Sequence, residues 1–331
     1  IAFYKPKNGI PFMSVTWGGF TGVVSGMNMS GLTVTINANK SAIPYGAATP
    51  VSLVAREILQ YASTIDEAIA IAKKREMFVS ESFLIGSAKD HKAVVIEKTP
   101  NELDIYSTTN NEVLCSNHYQ GPQLAHQKLN EEQMLQSASV YRYQRLQQLL
   151  NRVDKNTPTA TASILRDYKG LDDADIGLTN EKALNQFIAH HSIIFQPEKR
   201  LVWVSTSPWQ LGKYICYDLN KAFADKHTTL ISRDELNIAP DTLLNTQVFT
   251  RLQQYLSLEQ RHIHHQSIDP NEIVACNPTY YDSYRIAGDV LVEQHQVAKA
   301  IQMYQKALTF EIATQGERAS ILEKIKRWQK Q

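Results

Sequence analysis

The chain has 331 residues, 43% hydrophobic and 20% charged, with a net charge of +1. That describes a globular protein with a sizeable core, arranged as one large domain or two ordinary ones. A near-neutral balance argues against a nucleic-acid platform. No stretch approaches the roughly 18 uninterrupted apolar residues of a membrane-spanning helix. Cys115, Cys216 and Cys276 are odd in number and lack metal-type spacing, so they form no disulfide framework.

The first residues, IAFYKPKNGI, carry neither an initiator Met nor a signal-peptide pattern, so Ile1 is expected to follow an upstream cut, either a trimming or a proteolytic maturation. Phe12–Trp17, Gly22–Gly26 and Leu32–Ala38 are three short apolar runs separated by Gly18-Gly19 and Ser30-Gly31, which predicts a β-meander. In the third run Leu32, Val34 and Ile36 alternate with Thr33, Thr35 and Asn37, placing the last three on one face. An amide at the end of such a strand is a candidate fixed donor for an oxyanion.

A loop over Lys40–Pro50 leads to an amphipathic helix over Val51–Ala62 and a second over Ile65–Arg75, opened by Thr64 with Glu67 three residues on. Strands are expected at Glu81–Ser87, Ala93–Glu97, Leu103–Tyr106 and Val113–Ser116. Gln120–Gln136 reads as loop, and Val140–Leu150, Ala160–Tyr168 and Glu181–Ile188 as helices, with the acidic stretch 172–175 between the last two. Ser192–Phe195, Leu201–Ser205 and Tyr214–Tyr217 return as strands, Pro197–Arg200 turning between the first pair. Beyond Leu219 strand signals fade and a helical tail is expected. Within it, Asp282–Gln294 and Gln296–Thr309 make a hairpin whose Gly288, Ala300, Tyr304 and Ala307 have the spacing of one tetratricopeptide unit, which must pack on the main domain or a partner.

Chemistry-bearing motifs are few. No G-x-S-x-G elbow, phosphate loop or dinucleotide fingerprint occurs. His190 and His191, as neighbours in a strand, would point to opposite faces, and His262, His264 and His265 lie in a polar segment of solvated character. Cys115 beside His118 suggests a Cys–His pair, but a small thiol in a β run more commonly fills core.

Six segments carry a resemblance: GVVSGMNMSGLTVTINA, ESFLIGSA with VVIEKT, EVLCSNHY, SVYRYQRL, and AHHSIIFQPEKRLVWVS. Together they resemble the acyl-coenzyme A:6-aminopenicillanate acyltransferase family of N-terminal-nucleophile hydrolases, similar also to bile-salt hydrolases and penicillin V acylases. The likeness runs from about Phe3 to Leu219. It implies an α+β fold, a four-layer αββα sandwich over 1–220, followed by a helical extension over 221–331.

It further implies that an amino-terminal cysteine, freed by self-cleavage, attacks a linear amide or acyl thioester with its own α-amine as base, without a cofactor. By position Asn37 matches an oxyanion-hole residue and Asn117 the second asparagine of that hole. Arg142 matches an arginine beside the nucleophile, and Ser192 a serine near the acyl pocket. The family's nucleophile and the Arg-Asn-x-Asp segment after it precede the blocks seen here. The expected partners are therefore an upstream segment carrying the nucleophile and a small N-acyl substrate or acyl-coenzyme A. The alternative is a non-catalytic relative that binds partners through its helical tail. Compartment and oligomeric state stay open, and export to a bacterial periplasm is compatible with buried, unpaired thiols.

Overall fold

Alternation of apolar and polar residues organises the first two thirds of the chain into two antiparallel sheets. The computed structural model describes residues 1–40, 46–224 and 231–330. The larger sheet is a seven-stranded meander, with neighbours in sequence paired throughout. It comprises β1 (Ala2–Tyr4), β2 (Phe12–Val15), β3 (Ser25–Asn28), β4 (Leu32–Ala38), β5 (Glu81–Ser87), β6 (Lys92–Lys98) and β7 (Leu103–Tyr106). Helices α1 (Val51–Tyr61) and α2 (Ile65–Lys74) are inserted between β4 and β5. After α3 (Lys128–Gln136), α4 (Ser139–Leu150) and α5 (Pro158–Leu165) comes a three-stranded sheet. Its strands are β8 (Ile193–Gln196), β9 (Leu201–Ser205) and β10 (Tyr214–Asp218), with β9 central.

The layers follow from which face each side chain takes. Leu32, Val34 and Ile36 of β4 pack with Val54, Ile58 and Leu59 of α1. On the opposite face of the same sheet, Met13 and Met27 meet Val202 and Val204 of β9. The alternate residues of β9, Leu201 and Trp203, face away and pack with Ala162 of α5. The order is helix, sheet, sheet, helix: an αββα sandwich. Each large aliphatic side chain so buried is worth roughly 1.5–3 kcal/mol.

The G-M-N-x-x-G-L pattern has a structural task in this sandwich. Asn28 donates to the carbonyls of Leu59 (2.9 Å) and Ala62 (2.7 Å) at the end of α1 and accepts from Ser30 and Leu32 backbone N–H groups. Gly31 sits at φ +78°, where a Cβ would press on Ala88 and Arg200. One side chain therefore fixes both the β3–β4 turn and the helix that covers the sheet.

Several expectations need correction. β1 was given no sequence signal, and the second strand of the meander is Ser25–Asn28 rather than Gly22–Gly26, because Val23 N–H bonds to Ser52 O at the start of α1. Thr64 caps α2, but Glu67 returns its carboxylate to Ser63 N–H instead of the cap residue. Residues 113–116 form no strand, and 128–136, expected as loop, are helical. Residues 181–188 form no helix: Asn180 and Asn185 use their side-chain oxygens on Lys182 and Phe187 N–H groups, competing with the helical pattern, and Phe187 takes φ +56°. Of the loop 40–50, residues 41–45 lie outside the described residues.

After α6 (Leu219–Ala222), residues 232 and 238 still form bridges to β10. Then come α7 (Gln247–Ile263), α8 (Pro270–Cys276), α9 (Tyr281–Glu293), α10 (Val297–Ala307) and α11 (Gln315–Trp328), sharing one core. Gly288 of α9 lies against the Tyr304 ring of α10, with a Cβ there only 2.4 Å from it. Asn277 ties this bundle to the sandwich side through two hydrogen bonds with the Leu178 backbone.

Candidate active site

A polar row crosses four strands of the large sheet on the face turned away from α1 and α2. In register, Asn37 pairs with Ser82, Ser82 with Glu97, and Glu97 with Asp104. The two carboxylates hold the chain that follows β7. Glu97 accepts from Gln120 N–H (2.7 Å) and Gly121 N–H (2.9 Å), and Asp104 from Gln123 N–H (2.6 Å) and Leu124 N–H (3.1 Å). Burial pushes the Glu97 carboxyl up to about 6, against the pull of those amides. At the other end of the segment, Ser139 at the start of α4 accepts from Asn117 N–H at 2.8 Å. The chain from 117 to 124 is thus fastened by side chains rather than by a ladder partner.

This brings two of the anticipated residues together. Arg142 on α4 donates to Asn117 Oδ1 at 2.7 Å and to Glu181 O at 2.8 Å. Asn117 Nδ2 donates to Ala38 O at 3.0 Å, one residue beyond Asn37. A cationic donor on Oδ1 and a carbonyl beside Nδ2 fix the sense of the amide. One of its two N–H hydrogens goes to Ala38, and the second has no partner among the described residues. Burial holds the Arg142 guanidinium below its ordinary value, with Glu181 opposing that effect, and it remains a cation.

Ala38, Asn39, Phe78, Glu81, Asn117 and Arg142 are among the residues lining one cavity of about 770 Å³. It is part apolar and part polar, as small-molecule sites are. A separate cavity of about 600 Å³, beside the loop 267–271 and α9–α10, touches none of these residues.

The remaining anticipated residues stand elsewhere. Asn37 is half-buried in the polar row and does not itself line the cavity, although its successors Ala38 and Asn39 do. Ser192 lies at the small sheet, accepting from the Tyr214 hydroxyl at 2.7 Å and donating its N–H to Ser205 Oγ at 2.9 Å, and it does not line the cavity. Cys115 is two residues from Asn117, but burial pushes its thiol up to about 12, so it stays protonated and a poor nucleophile. The Cys216 thiol is likewise raised to about 12 by burial.

Sequence reasoning missed Asn39, Glu81, Glu97 and Ser139. Glu81 and Glu97 carried a signal: charges flanking apolar β runs. Among the described residues no group of three or more His, Cys, Asp or Glu is placed to hold a metal ion, and no helix is long and apolar enough to cross a membrane.

A family profile described as acyl-coenzyme A:6-aminopenicillanic acid acyl-transferase matches residues 3–207. Among solved structures, the chain is similar to a Caenorhabditis elegans ortholog of N-acylethanolamine-hydrolyzing acid amidase, at 18% identity and TM-score 0.36, covering 50% of this chain and 71% of that one. It is similar to a mutant conjugated bile acid hydrolase from Clostridium perfringens at 13% identity and TM-score 0.44, with 66% and 80% covered. It is also similar to penicillin V acylase from Agrobacterium tumefaciens at 15% identity and TM-score 0.34, with 65% and 68% covered. No curated protein sequence matches the chain.

Proposed function

The chain belongs to the acyl-coenzyme A:6-aminopenicillanic acid acyl-transferase family, and from that premise we propose that it cleaves a linear N-acyl amide or acyl thioester through a cysteine acyl-enzyme. Acyl transfer or amide hydrolysis is what the family carries; the covalent route and the residues that serve it are our reading. The observation that supports it most is the Ala38–Asn117–Arg142 cluster, an amide of fixed sense opening on a cavity of about 770 Å³.

In this reading the nucleophile is an amino-terminal cysteine on a segment preceding Ile1. Its α-amine, with a reference pKa of about 8, takes the thiol proton. The sulfur forms a bond to the acyl carbon, the carbonyl π pair moves onto oxygen, and Asn117 Nδ2–H donates to that oxyanion. Collapse expels the amine, which receives the proton from the α-ammonium, or the thiol if the substrate is a thioester. Water or a second amine then takes the acyl group. Asn37, beside the carbonyl that Asn117 grips, is the proposed second donor, and Arg142 holds the Asn117 amide. The step gives Ser192 no part. The protonated Cys115 supports placing the nucleophile elsewhere.

Division into an acyl-transfer domain over 1–220 and a helical extension over 221–331 belongs to the same proposal. In a purely scaffolding role the helical extension would act through the outer face of α10, since its inner residues Ala300, Tyr304 and Ala307 are engaged in the C-terminal core.

The test is expression of the full-length gene product, followed by intact-mass analysis after brief exposure to a hexanoyl thioester. A single hexanoyl adduct on an amino-terminal cysteine is expected. A folded protein that acquires none refutes the covalent route.

A further inference from the structure

The cavity beside Asn117 contains an unmet demand. Among the described residues, two buried acceptors without a hydrogen-bond partner line it: Asn39 Oδ1 and Glu81 Oε2. Both lie at the same end of the sheet, since Ala38 of β4 pairs with Glu81 of β5 and Asn39 follows directly. Asn39 Nδ2 lies 2.6 Å from Ser82 Oγ and 3.5 Å from Asn37 O, a carbonyl that only accepts, and this placement leaves Oδ1 over.

Neighbouring cations do not serve Glu81. Lys98 stands opposite it in the β5–β6 register, but its charge is engaged by Glu76. Arg142 is committed to Asn117 and Glu181 O, and Lys40, which lines the same cavity, makes no ion pair with Glu81 among the described residues. Glu181, the other carboxylate of the lining, faces Arg142. Buried acceptors left unpaired are costly in a folded protein, and a buried carboxylate more than an amide. Such a pair in a ligand-sized cavity fits a ligand that brings the missing donors.

We infer that Glu81 and Asn39 together bind a hydrogen-bond-donating head group, an ammonium or a hydroxyl, on the molecule that occupies this cavity. On the acyl-transfer reading, on which this step rests, the enzyme then selects N-acyl compounds with a cationic or hydroxylated end and rejects those ending in a carboxylate. Burial alone holds the Glu81 carboxyl at about 7, so the acceptor is ionised just above neutrality and protonated just below it.

Calorimetry on the full-length protein tests this without turnover, using hexylammonium, hexanol and hexanoate at about pH 8, above the Glu81 titration. Hexylammonium is expected to bind at least about tenfold tighter than hexanoate, because a hydrogen bond to an ionised acceptor is roughly twice as strong as a neutral one. In Glu81→Gln, which keeps the shape of the side chain, that preference collapses, and Asn39→Ala weakens both donors. Hexanol binding tighter than hexylammonium, and lost in Asn39→Ala, supports the inference with the neutral donor as the ligand chemistry. Hexanoate binding as tightly as the donors, an unchanged ranking in folded Glu81→Gln, or no binding of any probe below about 10 mM overturns it. Since no acyl group is transferred, donor selectivity in a protein that forms no acyl-enzyme would leave this inference standing and remove the catalytic reading. Hydrolysis without donor selectivity would do the reverse.

Discussion

Replacing Arg142 with Met separates an orienting arginine from a merely surface one. Its Nη2 donates to Asn117 Oδ1 at 2.7 Å, a hydrogen bond from a charged group, worth about 1.5–3 kcal/mol. The other tie on that amide, Nδ2 to Ala38 O at 3.0 Å, is neutral and worth about 0.5–1.5 kcal/mol. Without the guanidinium the weaker bond alone opposes rotation of the amide, and the carbonyl end would then face the developing negative charge. At about 1.4 kcal/mol per factor of ten, loss of the stronger tie lowers kcat about 10–100-fold, with little change in KM. The assay is single-turnover acylation by a hexanoyl thioester, run beside a thermal melt so that a folding defect is seen as such. Because the two residues act as one unit, Arg142→Met made in an Asn117→Ala background should add little, giving a coupling of about 1–2 kcal/mol. If kcat in the folded single variant stays within about threefold of the parent, or if the two losses simply add, the orienting role is refuted.

Other consequences are structural. The Glu81 carboxyl rises from its ordinary 4.5 to about 7, so its favourable contribution is full below 4.5 and is lost as pH climbs through 7. The shift corresponds to about 3 kcal/mol, reduced by solvent screening at this partly exposed site to about 1–2 kcal/mol. Urea titrations should find Glu81→Gln more stable than the parent by that amount at about pH 9 and equal to it near pH 4. Arg145, buried between Asp167 and Asp173, anchors α4 under Arg142. Arg145→Met leaves Asp167 without its bidentate partner and should cost about 3–5 kcal/mol in urea unfolding. Gly288→Val would drive side-chain carbon into the Tyr304 ring and should cost at least about 1–3 kcal/mol in thermal unfolding of the C-terminal helices.

The parts of the fold legible in the sequence were those in which one periodicity governs a whole element. Alternation over 32–38 sets β4 and its two faces, and strands 81–87, 103–106 and 201–205 lie where composition puts them. Misreadings occur where side chains take over backbone hydrogen bonds. Val113, Leu114 and Cys115 look like a strand, yet they join no ladder, and the chain directly after them is held as a loop by Ser139, Glu97 and Asp104, which accept from the backbone of Asn117, Gln120, Gly121 and Gln123. Asn180 and Asn185 similarly undo an expected helix. For the site, the resemblance pointed to Asn117 and Arg142, which are hydrogen-bonded to each other in the structure. Glu81 and Asn39 escaped, because what distinguishes them is one buried oxygen each without a partner among the described residues, which no spacing encodes.

The account stands on the Asn117 amide receiving negative charge. Its most direct test is the acylation rate of the full-length protein against that of Asn117→Ala, followed by intact mass in a single turnover. A fall of about 10²–10³ with the adduct still on the amino-terminal cysteine is predicted. An Asn117→Ala protein that acylates within about threefold of the parent would contradict it.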